Sequence, residues 1–164
     1  MTPSFGEVQA TGLKAARGAG LPWGLCEDAG SATRWLWERG YNGPGALAAL
    51  LSNYDPDTCP LRAAGRLPGE IEDLPFELQV QAGLLLLPSL AAIGAQADGV
   101  GDTDFGTAKV VVEAATADWV PAIGPRRAVD QAAWQILKRL EGRTYAPPTE
   151  ASRDGAGAGL TDND

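Results

Sequence analysis

Lys14, Arg17, Trp23 and Glu27 fall within fourteen consecutive residues near the start of the chain. Two cations of this kind can hold a carboxylate or a phosphate, and a carboxylate beside an apolar indole has its pKa raised, which makes Glu27 a candidate acid/base. Trp23 sits in a Gly-rich turn, where a side chain can border a pocket instead of filling a core stripe. A second group, Glu150, Ser152 and Arg153, precedes glycines at 155, 157 and 159. Successive backbone N–H groups in such turns form an anion-binding nest, to which Arg153 adds a bidentate fork and Ser152 a hydroxyl. The candidate ligand contacts are Lys14, Arg17 and Trp23 in the first group and Ser152, Arg153, Gly155 and Gly157 in the second, with Glu27 and Glu150 as candidate catalytic groups. The same closing stretch also reads as a solvated tail, because Gly, Ala and Asp dominate it. Glu27, Asp28, Arg34 and Glu38 have a plain reading too, as a solvated helix face with weak ion pairs.

Much chemistry is excluded. The chain has no histidine, which removes Ser-His-Asp and Cys-His nucleophiles and the commonest transition-metal ligand. Asp102, Asp104 and Glu113 have calcium-loop spacing, but Thr107 stands where that loop needs glycine, so no metal site is expected. No GxxxxGK[ST] motif is present, and Gly155-Ala156-Gly157-Ala158-Gly159 lacks the following helix that a dinucleotide fingerprint requires. Nothing in the sequence specifies a cofactor. A net charge of -8 and a pI near 4.5 oppose binding to nucleic acid or anionic membranes. Cys26 and Cys59 lack CxxC spacing, the start MTPSFGEVQA has no signal-peptide pattern, and the apolar run Gly83 to Ala95 is too short to span a bilayer. These features together predict a reduced, cytoplasmic protein.

The elements that must position the candidate residues follow from periodicity. Ser4 and Glu7 form a capping box that starts one helix; Leu21-Pro22 opens a second, and the Gly-rich turn between them makes an antiparallel helical hairpin. Gly40 fits the left-handed position after the second helix, and Leu47, Leu50 and Leu51 mark a short third. Residues 52–73 read as loop or short irregular structure. Phe76, Leu78 and Val80 alternate with polar residues as in a strand, which Leu84 to Leu87 extend or follow. Ser89 to Gln96 reads as a buried helix, Asp98 to Gly106 as a turn, and Thr107 to Glu113 as a second strand. Pro125 is expected to begin an amphipathic helix with a stripe of Val129, Ala132, Ala133, Ile136 and Leu140. The expected whole is one α+β domain over residues 1–164: N-terminal helical hairpin, a few central strands, amphipathic helix and Gly-rich C-terminal loop. The five tryptophans are expected in the core, apart from Trp23.

The segment KAARGAGLPWGLCEDAG, Lys14 to Gly30, with Arg34-Trp35-Leu36 after it, resembles the opening of an uncharacterised, mainly proteobacterial family known as a domain of unknown function. The closing TYAPPTEASRDGAGAGLTDND is similar to the end of the same proteins. No activity comes with the resemblance. It implies that the Gly-rich end belongs to the domain, so that the hairpin turn and the C-terminal loop meet over one concave site for a small anionic metabolite, as domain termini often lie close together. The alternative is a non-catalytic accessory or protein-interaction subunit.

Overall fold

The capping box sets the first helix as the sequence predicts. In the computed structural model, which describes residues 1–67 and 74–145, the Glu7 N–H donates to the Ser4 hydroxyl at 3.1 Å and the Ser4 N–H to the Glu7 carboxylate at 3.4 Å. Helix α1 (Phe5–Gly18) thus starts with satisfied donors. Gly20, at φ +89, reverses the chain into α2 (Trp23–Glu38). The two helices touch backbone to backbone: a Cβ on Gly12 would lie 3.3 Å from the Gly30 Cα, and one on Gly30 only 2.7 Å from the Gln9 carbonyl oxygen. Gly40 (φ +92) ends α2, and Asn42 caps α3 (Gly43–Ser52) by accepting the Gly45 N–H at 3.0 Å. A short helix, α4 (Pro60–Ala64), follows inside the stretch read as loop or irregular structure; Pro60 starts it, since its missing N–H is no loss in a first turn.

Strands β1 (Phe76–Gln81), β2 (Ala95–Asp98) and β3 (Thr107–Ala114) form an antiparallel sheet in the order β1-β3-β2. Leu78 pairs with Val110 and Phe76 with Val112, so the apolar positions of both strands share one face. The apolar run between β1 and β2 departs from expectation. It forms one 3-10 turn, Gly83–Leu86, after Ala82 in the left-handed conformation, and then α5 (Leu87–Ala92). Helix structure stops at Ala92, and Gly94 (φ +70) turns the chain into β2, where Ser89 to Gln96 had been expected to continue as a helix. An unbroken apolar run has no period to distinguish strand from helix, and Pro88 in the first turn of α5 favours the helix.

The amphipathic helix α6 spans Gln131–Gly142, later than the expected start at Pro125. Asp130 caps it, accepting the Ala133 N–H at 2.8 Å. Its buried face is Trp134, Leu137, Leu140 and Glu141; Ala132 is exposed, and Val129 is buried ahead of the helix. Residues 125–130 are held out of a helix because Arg127 donates to the carbonyls of Gly40 and Tyr41 and lies over Trp37 at 4.2 Å. A single core connects the layers through Leu36, Leu47, Leu84, Leu90, Val110 and Leu137. Among the described residues, no helix is long and apolar enough to cross a membrane.

Candidate functional site

The hairpin turn brings Lys14, Arg17 and Trp23 to one end of the molecule, since the cations lie in the last turns of α1 and Trp23 opens α2. The Arg17 guanidinium lies 5.4 Å from the Trp23 ring centroid, and both side chains face solvent, Trp23 at 56% exposure. Such a pair is a cation–π contact that leaves the guanidinium edge free to bind. Lys14 is differently placed. Its Nζ donates to the Tyr145 hydroxyl at 3.1 Å and lies 3.4 Å from Glu141 Oε1, so α6 and the residues just after it supply its partners. Glu141 is also paired with Lys138.

Glu141 is a buried carboxylate between two ammonium groups. Burial pushes its pKa up, but the hydrogen bond and charge of Lys138, followed by those of Lys14, outweigh burial and hold it below the usual carboxylate range. The hydrogen bond to Tyr145, then that to Glu141, raises Lys14. The signs agree: a depressed carboxylate contributes stability above its unfolded pKa and loses it as pH falls through the folded one, while a raised lysine loses its contribution only in strong base. Glu141→Gln is therefore expected to cost about 1–3 kcal/mol in urea unfolding at pH 7, and much less near pH 2.5. A deficit of equal size at both pH values would assign the loss to packing instead of charge.

Glu27 lies one turn beyond Trp23, exposed and without an ion pair among the described residues. Burial, followed by the negative charge of Glu27, raises the neighbouring Asp28. Glu150, Ser152, Arg153, Gly155 and Gly157 lie outside the described residues. Tyr145, the last described residue before them, is the one held by Lys14.

One carboxylate departs from the solvated-face reading. Glu38 is buried, with Arg34 at 2.6 Å and Arg39 at 3.5 Å, because the end of α2 is covered by the later loop, whose Gly124 N–H donates to the Glu38 carbonyl at 2.8 Å. Three tryptophans meet expectation plainly: Trp37 and Trp134 are core residues, and Trp23 is exposed. Sequence reasoning missed the packing of residues 121–130 on the end of α2. The signals for it were the alternation Trp35, Trp37, Arg39 and the pair Arg126-Arg127 directly after Pro125.

The molecule is thus a mixed α+β protein built on an N-terminal helical hairpin. Residues 3–78, from ahead of α1 into β1, match a family described as protein of unknown function (DUF3726). That span contains Lys14, Arg17, Trp23 and Glu27, whereas β2, β3 and α6 lie beyond it. No curated protein and no solved structure matches the chain.

Proposed function

We propose that the protein binds a small anionic molecule at the open end of the helical hairpin, with Arg17 as the recognising cation and Trp23 as an apolar wall. The observation that carries this reading is the Arg17–Trp23 pair: a guanidinium stacked on an exposed indole at 5.4 Å, with no carboxylate within ion-pair distance among the described residues. Lys14 is a positioning residue, since Glu141 already shares its charge and its ammonium holds Tyr145. From Tyr145 the chain runs into the segment carrying Glu150, Ser152, Arg153, Gly155 and Gly157, and in this reading those side chains and glycine N–H groups complete the grip on the anion. The solvated position of Glu27 favours binding over catalysis.

Thermal-shift and calorimetric titrations with hydroxy acids, amino acids and nucleotides test the reading. The expected result is stabilisation by at least one anionic class, with affinity falling tenfold or more, about 1.4 kcal/mol, in Arg17→Ala. Ending the chain after Tyr145 should weaken binding in the same direction. Absence of stabilisation by every class, or an Arg17→Ala protein that binds as well as the wild type, would overturn it. The exposed rings of Trp23 and Tyr145, at 56% and 61%, favour a second reading as a protein-interaction subunit, because Trp, Tyr and Arg are the residues that dominate partner interfaces.

A further inference from the structure

The opposite end of α2 carries an open cavity of about 480 Å³, lined on its far side by Pro121, Arg127, Ala128 and Asp130. Its size falls in the roughly 300–1,000 Å³ range of small-molecule sites. Trp37, Arg39, Tyr41 and Arg127 form its donor-rich, aromatic wall, and Asp102 and Asp130 also line it. Both arginines stack on indoles, Arg39 over Trp35 at 4.4 Å and Arg127 over Trp37 at 4.2 Å. Each is also tied to backbone: Arg39 donates to the Trp35 carbonyl at 3.3 Å, and Arg127 to those of Gly40 and Tyr41. Trp37 is only 3% exposed, yet among the described residues its Nε1–H has no acceptor, and neither have the Nε–H groups of Arg39 and Arg127. Three buried donors that lack acceptors among the described residues, all on side chains of one cavity wall, are costly to leave unpaired. Oxygen acceptors carried in by a ligand would relieve that cost once a small shift of these side chains turned the donors toward the cavity.

We infer that this cavity is a second binding site, for a small monocarboxylate that also bears a hydroxyl or amino group. The carboxylate meets the donor wall, where a fixed guanidinium prefers a planar two-oxygen partner. The two aspartates exclude a dianion such as phosphate and accept from the ligand's own donor; Asp130 uses one oxygen to cap α6 and has a second available. This inference is independent of the hairpin site, because none of its residues lies there.

The test follows the Trp37 indole N–H resonance of the ¹⁵N-labelled full chain, assigned with Trp37→Phe, during titration with lactate, alanine, propionate, lactamide and inorganic phosphate. Lactate or alanine is expected to shift the resonance saturably, propionate to bind at least tenfold more weakly, and lactamide and phosphate to leave it in place. Arg127→Lys, which keeps the charge but loses the fork, should weaken lactate and alanine tenfold or more, and Arg17→Ala should change nothing. Asp102→Asn, at an exposed position, should weaken lactate and alanine and leave propionate unchanged. The inference fails if no probe moves the resonance, if phosphate or propionate matches lactate, or if both Arg127→Lys and Asp102→Asn bind as the wild type does.

Discussion

Gly18→Ala is expected to destabilise the protein by about 3 kcal/mol or more, the upper end of what overpacking costs. A Cβ at Gly18 would lie 1.8 Å from the Leu140 carbonyl oxygen and 2.7 Å from its carbon. Both are backbone atoms, so no side chain can rotate away, and α1 and α6 must separate. Separation would also loosen Lys14 from Glu141 and Tyr145, which depend on the same contact. The better helix propensity of alanine returns at most about 1 kcal/mol and does not compensate. Gly6→Ala in the same helix is the control: its added carbon meets nothing within 4 Å, so it should be neutral or mildly stabilising. Urea unfolding of the two variants side by side measures the difference. A Gly18→Ala protein as stable as Gly6→Ala would mean that α1 and α6 are not packed as described.

Leu47→Ala is expected to cost about 2–5 kcal/mol, the range for emptying a fully enclosed leucine site. Leu47 has no exposed surface, and its Cδ2 lies 3.3 Å from where a Cβ on Gly12 would stand. It therefore fills the notch that the two glycines leave where α1 crosses α2. Neighbouring backbone at Gly12 and Gly30 is already in contact, so the structure cannot collapse to fill the hole. Against a total stability of about 5–15 kcal/mol, the loss is a large fraction. Leu47→Met, close in volume, should cost less than about 1.5 kcal/mol, and the same denaturation curves check it. Equal losses for Ala and Met would show that the side chain's shape matters and its volume does not.

The parts of this fold that could be read in advance are those fixed by near neighbours in the sequence. The Ser4–Glu7 box, the left-handed Gly40, and the alternation of Phe76, Leu78 and Val80 each act over a few residues, and each falls where expected. The start of α6 differs from expectation because its determinant is distant: Arg127 is bound to carbonyls 86 and 87 residues away, which hold its segment out of a helix. The burial of Glu38 depends likewise on a loop that arrives much later in the chain. For the site, the gathering of Lys14, Arg17 and Trp23 follows from the hairpin alone. The partners of Lys14 do not, since Glu141 and Tyr145 carry no local mark of where they will pack.

The contact between the first and last helices also orders events in time. Lys14 and Tyr145 are 131 positions apart, and Gly18 meets Leu140 across a comparable gap. Closing so long a loop is entropically slow compared with forming the hairpin, whose two halves are adjacent. During synthesis, the flank of α1 that α6 will cover must therefore wait, bare, until nearly 130 further residues have been added to the chain, and the hairpin end acquires its final shape only with that last docking step.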